Sequence, residues 1–182
     1  MEYTIKEVKP GMEIPAEMLD LYKDAFPPEE RRPWDTPEDV RLFMDGHPRM
    51  HMKIMETDNR FVGFLIYWHL TDNVIYGEHL ATLPHLRGNG LGAKFIADFE
   101  RTDPDMELVL EVEPPVDELT LRRIGFYRRL GLVLHTDIRY IQPPYAPGQD
   151  SIELKLMSTP GLKGSKLSEH IVPTLRSTIY GV

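Results

Sequence analysis

The sequence predicts an α/β fold whose central sheet is mixed and mostly antiparallel. Three strand-like runs, at residues 50–56, 61–70 and 73–82, follow one another with links of hairpin length, which predicts an antiparallel meander. Segments with apolar residues at helical spacing stand before and after this meander. A further apolar strand, residues 107–112, lies between two of the later helices, so the sheet is predicted to be mixed. A chain of 182 residues is long enough for one such domain and its core.

The first elements are predicted from periodicity and from the residues that end them. Residues 3–8 alternate between polar and apolar, which predicts a strand that ends before Pro10. Residues 14–26 place most of their apolar side chains on one helical face, and Pro27 stops that helix. A second helix is predicted at residues 36–46, because this segment begins with a threonine, a proline and an early acidic residue, the pattern of a capped start.

The later part of the chain alternates between helices and strands. Residues 88–101 and 117–130 have apolar residues at helical spacing, and Gly131 is suited to end the second of these helices. The remaining strands are predicted at residues 132–135, 138–141 and 151–157.

The last part of the chain is predicted to be a linker and a helical tail. Residues 160–164 contain the proline and glycines of the linker, and residues 167–180 form a helix that Pro173 breaks or kinks. We therefore divide the chain into an α/β domain at residues 1–158 and a C-terminal linker and tail at residues 159–182. The sequence leaves open whether the tail packs on its own sheet or on a partner, and it is compatible with a homodimer.

Composition argues against several classes of function. The net charge of -8 argues against a nucleic-acid binder, because such proteins present a basic stripe to phosphates. The absence of cysteine excludes disulfides, cysteine-ligated zinc and a thiol nucleophile, and the seven histidines lack convincing ligand spacing, so we predict no metal site. The longest apolar run, residues 61–68, is much shorter than the about 20 residues that a membrane helix needs. Residues 1–9 are charged, unlike a signal peptide, so we expect a cytoplasmic protein without a membrane partner.

The most informative segment is residues 87–92, Arg-Gly-Asn-Gly-Leu-Gly, where a predicted strand and a short turn lead into a helix. Glycines allow the backbone to approach a bulky anion closely. The first amides of a helix have no internal acceptor and lie at the positive end of the helix dipole, so they bind anions well. The segment therefore predicts a cradle for a phosphate or a pyrophosphate.

Three interpretations of this segment compete. A plain glycine-rich turn is one, although each glycine inside a helix would cost about 1 kcal/mol. A dinucleotide fingerprint is another, because Gly88 and Gly90 follow a strand and Glu111 lies about 20 residues later, where a ribose-binding acid would stand. The spacing here is G-x-G-x-G rather than G-x-G-x-x-G, and only one parallel unit is available. A P-loop is excluded, because the chain has no G-x-x-x-x-G-K-[ST] sequence.

The third interpretation is a resemblance to a known family. Residues 87–92 match the Arg/Gln-x-x-Gly-x-Gly/Ala signature of the GCN5-related N-acetyltransferases, the GNAT family. Residues 126–132, Phe-Tyr-Arg-Arg-Leu-Gly-Leu, resemble the second signature of that family, with Leu132 where phenylalanine is usual. The order of elements agrees over residues 1–157, and residues 140–145 also resemble a bacterial subgroup of the family.

The resemblance implies where acetyl-CoA binds. Helices would cover both faces of the sheet, and the cofactor would lie in the V between two parallel strands that splay apart, residues 73–82 and 107–112. Its pantetheine arm would pair with the backbone of Leu80, Ala81 and Thr82. Its pyrophosphate would bind the amides of Arg87, Gly88, Asn89, Gly90, Leu91 and Gly92. Its adenosine phosphate would lie near Arg123, Lys94 or Arg128.

The resemblance also implies catalytic residues. Tyr127 matches the general acid of the family, and a phenol is protonated at neutral pH and can donate to the departing sulfur while it contacts the cofactor. The general base is expected to be Glu78 or Glu111, because both lie in apolar strands where desolvation raises the pKa of a carboxyl. His79 is expected to be structural, because it follows Glu78 and should point to the other face of the sheet.

The sequence therefore predicts an acetyl-CoA-dependent N-acetyltransferase. Its acceptor would be a primary amine of a small molecule or a peptide, attacked directly, because no cysteine is present to form an acyl-enzyme. The alternative is an acyl-CoA-binding regulatory protein with a degenerate acceptor site, and a nucleotide-binding oxidoreductase is third. An acidic first two-thirds of the chain favours a cationic acceptor.

Overall fold

A computed structural model describes residues 2–182 and places seven strands in one sheet. The strands are β1 (Thr4–Glu7), β2 (Met50–Thr57), β3 (Arg60–Thr71), β4 (Val74–Thr82), β5 (Glu107–Val112), β6 (Val133–Gln142) and β7 (Ile152–Ser158). They stand in the order β1-β2-β3-β4-β5-β7-β6. Within this sheet β4 and β5 are parallel and every other neighbouring pair is antiparallel, which confirms the mixed, mostly antiparallel arrangement.

Helices pack on both faces of this sheet. They are α1 (Ala16–Ala25), α2 (Pro37–Gly46), α3 (Leu91–Thr102) and α4 (Glu118–Arg129). The apolar side chains of α1 and α2 pack with Phe64 and Trp68, whereas those of α3 and α4 pack with Leu65 and Tyr67. Because neighbouring residues of a strand point to opposite faces, β3 is buried on both sides, which explains its continuous apolar run.

The helix starts follow local sequence chemistry. At α2 the Thr36 hydroxyl accepts from the Asp39 amide at 3.2 Å, and the Asp39 carboxylate accepts from the Thr36 amide at 2.8 Å. Helix α3 begins at Leu91, three residues later than predicted, because Gly88 and Gly90 have φ angles of 83° and 72°. These left-handed conformations suit glycine and precede the first helical turn.

The two short strands predicted at residues 132–135 and 138–141 are one strand, β6, so that prediction is wrong. The register of β6 with β7 shifts between His135 and Tyr140. The polar residues between them lie in this irregular part of an extended strand rather than in a turn, because a bulge interrupts the pairing without reversing the chain.

The C-terminal tail is helical from Lys166 to Tyr180 and is not broken at Pro173. The turns before the proline are wide π-turns, in which the Val172 amide donates to the Leu167 carbonyl oxygen, five residues earlier. Leu167 and other apolar residues of the tail are buried in the core beside α1 and α2, so the tail packs on its own chain. The domain boundary at residue 158 stays a prediction.

Among residues 2–182, no helix combines the length and the apolarity that crossing a membrane requires.

Candidate active site

A cleft opens where β4 and β5 separate. Their parallel pairing ends at Gly77 opposite Leu110, although β4 continues to Thr82 and β5 continues to Val112. Since β3 still pairs with β4 as far as Thr82, only the β4 edge that faces β5 loses its strand partner. That edge offers free backbone groups from Glu78 onward. The cleft has a volume of about 820 Å³ and extends between the ends of these strands, α3 and α4.

The glycine-rich segment forms the mouth of this cleft. Gly88, Gly90 and Gly92 all line it, and the first amides of α3 follow them. A Cβ atom on Gly92 would lie 3.1 Å from the Phe126 ring of α4, so glycine permits this close approach of the two helices. Cβ atoms on Gly88 and Gly90 would meet no protein atom within 4 Å, which leaves the space above these amides free for a ligand.

A β-bulge at Glu78 brings two polar side chains to the same face of β4. The register with β3 shifts between Ile66 and Tyr67, and Glu78 is the extra residue. Glu78 accepts a hydrogen bond from Trp68, and His79 packs edge-on against an aromatic ring of α1, so both lie on the α1 side. The prediction that His79 points to the opposite face is wrong, because the bulge interrupts the alternation of the strand.

His79 connects β4 to the loop that follows α1. Its Nε2 atom donates to the carbonyl oxygen of Glu30 at 2.7 Å, so this ring nitrogen bears the proton. Its Nδ1 atom lies 3.8 Å from the Glu78 carboxylate, too far for a hydrogen bond, and it has no partner among residues 2–182.

Glu78 is a buried carboxylate paired with a buried guanidinium. Its side chain is 0% exposed and that of Arg32, with which it forms an ion pair, is 5% exposed. The Glu78 carboxylate also accepts from Trp68 at 2.8 Å and from the Tyr145 hydroxyl at 3.1 Å. Burial by itself would raise the pKa of Glu78, but the charge of Arg32, His79 and the hydrogen bond from Trp68 together outweigh burial and hold that pKa well below its usual range. Glu78 is therefore a carboxylate that resists protonation.

Glu111 is a buried carboxylate without a cationic partner in the described chain. It accepts hydrogen bonds from the hydroxyls of Tyr140 and Tyr180, the latter at 3.1 Å to each of its oxygens. Burial raises the pKa of Glu111 to about 7, although the hydrogen bonds from Tyr140, Tyr180 and Tyr76 oppose this shift. Glu111 can therefore exchange a proton near neutral pH.

Two tyrosine hydroxyls connect the carboxylates of Glu78 and Glu111. The Tyr145 hydroxyl lies 3.1 Å from Glu78 and 3.4 Å from the Tyr180 hydroxyl, which in turn lies 3.1 Å from Glu111. Tyr145 follows β6 in the chain and Tyr180 belongs to the C-terminal tail. The tail thus contributes a polar group beside the cleft as well as apolar side chains to the core.

Tyr127 lies on α4 and lines the same cleft. Its ring packs against Phe126, with the ring centroids 5.0 Å apart. Burial raises the pKa of Tyr127, and the positive charge of Arg123 partly opposes this. The phenol is therefore protonated at neutral pH and able to donate. Arg123, one turn earlier, forms an ion pair with Glu113 after β5.

The sequence model of the acetyltransferase (GNAT) family matches residues 16–132. The chain belongs to the GNAT family. A solved structure described as a candidate acetyltransferase of this family, from Bacteroides thetaiotaomicron, is 37% identical, with a TM-score of 0.80 and coverage of 91% of each chain. No curated protein sequence matches the chain.

More distant structures share the fold of this GNAT protein. A GNAT family acetyltransferase from Elizabethkingia anophelis with acetyl-CoA bound is 16% identical, with a TM-score of 0.58 and coverage of 86% of this chain and 97% of that one. A chimeric spermidine N-acetyltransferase SpeG from Vibrio cholerae and hSSAT is 14% identical, with a TM-score of 0.64 and coverage of 87% and 95%. Family membership makes this protein an acetyltransferase that uses acetyl-CoA, and the dinucleotide interpretation is dropped.

The cleft of this GNAT protein brings together most of the side chains and backbone groups predicted from the sequence. Its lining includes Glu78, Leu80, Ala81, Thr82, Arg87, Gly88, Gly90, Leu91, Gly92, Glu111, Arg123 and Tyr127. Asn89 instead donates through its side chain to the Leu86 carbonyl oxygen at 2.9 Å, which stabilises the loop before α3. Lys94 lies near the ring of Tyr3, 5.9 Å from its centroid.

Sequence reasoning missed the groups that set the protonation of the two glutamates. Arg32 comes from the loop before α2, Tyr140 and Tyr145 come from the end of β6 and the loop after it, and Tyr180 comes from the tail. The resemblance of residues 140–145 to a bacterial subgroup marks the segment that contains Tyr140 and Tyr145, but nothing local to Tyr180 indicates that it approaches the site.

Proposed function

We propose that this GNAT protein transfers an acetyl group from acetyl-CoA directly to a primary amine of a small molecule or a peptide. The observation that supports this most strongly is a buried glutamate, Glu111, whose pKa is raised to about 7 at the floor of the cleft. A general base works best when its pKa lies near the operating pH, because it is then largely ionised and still basic enough to accept a proton.

Acetyl-CoA would bind along the cleft from its mouth to its floor. The pyrophosphate would accept hydrogen bonds from the backbone around Gly88, Gly90 and Gly92, since the space beside Gly88 and Gly90 is open. The pantetheine arm would pair with the free edge of β4 from Leu80 to Thr82, because β5 no longer occupies it. The thioester would then lie beside the strand ends, where Glu78 and Glu111 follow the last paired position.

The chemistry would proceed by attack of the amine nitrogen on the thioester carbonyl carbon. Glu111 would take the proton that the amine must lose, and a backbone amide of residues 80–82 would stabilise the oxyanion. When the C–S bond breaks, Tyr127 would donate its proton to the thiolate, which leaves as CoA, and the second proton lost by the attached nitrogen would restore the phenol of Tyr127. The acetamide is the second product.

Glu78 is proposed to have an electrostatic role rather than to act as the base. Its ion pair with Arg32 keeps it ionised and occupies one of its oxygens. Its charge also raises the pKa of Glu111, because a second negative charge nearby disfavours ionisation of the first. We therefore assign the base to Glu111.

The acceptor is proposed to be a cationic amine. Acidic side chains of α1 and the following loop, Asp24 and Glu30, line the cleft together with Glu78 and Glu111. Burial raises the pKa of Glu30. A protonated amine would be attracted to this acidic side of the cleft before it loses its proton.

The test is an amine panel in which CoA release and acetylated product are both measured with the wild-type protein, Glu111→Gln and Glu78→Gln. We expect wild-type kcat/KM to rise with pH through about 7 and Glu111→Gln to lose both most of its activity and this acidic limb. Glu78→Gln should retain an acidic limb. Saturable CoA binding without turnover of any amine would instead support the regulatory alternative.

A further inference from the structure

The C-terminal tail lies outside the residues that match the GNAT family, yet it contacts the floor of the cleft. The family match ends at residue 132, whereas the Tyr180 hydroxyl lies within hydrogen-bond distance of both carboxylate oxygens of Glu111. The carbonyl oxygen of Ile179, next to it, lies 3.5 Å from a guanidinium nitrogen of Arg32. One turn of the tail thus contacts both Glu111 and Arg32, the residue that forms the ion pair with Glu78.

We propose that the tail is a working part of the acetyl-transfer site and that Tyr180 is a positioning residue that, with Tyr145, adjusts the protonation of Glu111. This inference rests on the proposed role of Glu111 as the base. It extends that role to a segment of the chain that the family signatures do not include.

The number of hydroxyl protons determines which groups donate and which accept in this set of hydrogen bonds. Tyr145 and Tyr180 have one hydroxyl proton each, and Glu78 remains an acceptor because Arg32 holds it ionised. When Glu111 is ionised, Tyr180 donates to Glu111 and Tyr145 donates to Glu78. When Glu111 has taken a proton, it can donate to the Tyr180 oxygen, and the Tyr180 hydroxyl can turn to Tyr145, 3.4 Å away. Every buried donor then has an acceptor in both states.

The groups that face Glu111 come from three parts of the chain. Tyr76 and the charge of Glu78 come from β4, Tyr140 comes from β6, and Tyr180 comes from the tail. Tyr76 and Tyr140 approach from the sheet, so they persist when the tail is altered. Tyr180 is the residue of the tail that contacts Glu111, so removing its hydroxyl tests the role of the tail.

The two hydroxyls should have opposite effects on Glu111. Tyr180 donates to the ionised carboxylate, so Tyr180→Phe should shift the acidic limb of kcat/KM to higher pH, by about one unit. Tyr145 is the acceptor for Tyr180 when Glu111 is protonated, so Tyr145→Phe should shift the limb to lower pH. The Kd for acetyl-CoA should stay within a few-fold of wild type in both variants, because the proposed cofactor contacts are backbone groups of residues 80–82 and 87–92 rather than these hydroxyls.

Tyr67→Phe is the matched control. The Tyr67 hydroxyl also donates to a carboxylate, that of Glu7, at 3.0 Å, and neither of these residues lines the cleft. It should leave the pH profile unchanged. Thermal unfolding and acetyl-CoA binding confirm that each variant is folded before its profile is compared.

The outcomes separate this proposal from the proposed function. An acidic limb at the wild-type pH in folded Tyr180→Phe, in an enzyme whose limb disappears in Glu111→Gln, overturns the role of the tail and leaves the base assignment intact. A limb that persists in Glu111→Gln overturns the base assignment and this proposal with it. If Tyr180→Phe does not fold, Tyr145→Phe tests the hydrogen bonds that connect Glu78 to Glu111 independently. A shift of the acidic limb to higher pH in Tyr145→Phe overturns this hydrogen-bond arrangement.

Discussion

Glu78 and Glu111 are the first residues beyond the last paired position of β4 and β5, and the pKa values of their buried carboxyl groups are shifted in opposite directions. Arg32 holds the pKa of Glu78 below its usual range, whereas burial raises the pKa of Glu111 to about 7. Two carboxyl groups whose environments separate their pKa values in this way are suited to different roles. Four predictions test this arrangement and the cofactor cradle.

The raised pKa of Glu111 should make the protein less stable as the pH rises. The folded-state pKa is about 7 and the ordinary value is 4.5, so between these values the folded protein binds a proton that the unfolded chain does not. The free energy of unfolding should therefore fall across this range, by roughly 3 kcal/mol in all. Urea unfolding at pH 5 and pH 8 should show Glu111→Gln gaining stability relative to wild type at pH 8. Glu118→Gln, an exposed glutamate of α4, should show no such change, and equal pH dependence in wild type and Glu111→Gln would refute the shift.

Arg32→Met should destabilise the fold, because it leaves the Glu78 carboxylate buried without a cation. Loss of one partner from a buried ion pair costs about 3–5 kcal/mol, which urea unfolding at neutral pH measures. Arg122→Met removes an exposed partner of Glu118, at 74% and 81% side-chain exposure, and should change stability little. Similar stabilities of the two variants would show that Glu78 does not depend on Arg32. At low pH the loss in Arg32→Met should shrink, because protonation of Glu78 then removes the unpaired charge.

Gly90→Asp should weaken acetyl-CoA binding by at least about tenfold relative to Gly90→Asn. Both substitutions place a side chain of the same size at a φ of 72°, where a Cβ meets no protein atom within 4 Å. Only aspartate adds a negative charge at the start of α3, where the pyrophosphate is proposed to bind. Calorimetry with acetyl-CoA and circular dichroism on both variants make the comparison. Equal affinities in the two folded variants would argue against an anion cradle at this position.

Tyr127→Phe should lower kcat by about 10²–10⁴-fold while the Kd for acetyl-CoA stays within a few-fold. The ring still packs against Phe126, and only the proton donor is removed. Steady-state kinetics with the best amine of the panel and calorimetry with acetyl-CoA measure the two effects. Presteady-state measurement of CoA formation checks that chemistry, rather than product release, limits the wild-type rate. An unchanged chemical step would make Tyr127 a packing residue.

Much of the fold follows from local sequence patterns. The meander of β2, β3 and β4 was predicted from alternation and short links, and α2 was predicted from its capping residues, because these features depend on neighbours in the chain. The glycine-rich segment before α3 was predicted to lead into a helix for the same reason, since its left-handed residues need glycine wherever the segment lies. The two family signatures then indicated the cofactor and the reaction.

The tertiary structure decided what the individual polar side chains can do. A bulge at Glu78, invisible in the sequence alternation, turned His79 to the side of Glu78. The difference between Glu78 and Glu111 depends on Arg32, 46 residues before Glu78, and on Tyr180, 69 residues after Glu111. The sequence by itself determined that two glutamates stand in apolar strands, but their pKa values depend on which charges and hydroxyls folding brings within a few ångströms. Those contacts join segments far apart in the chain, so only the packed structure could distinguish a base from an ion-paired carboxylate.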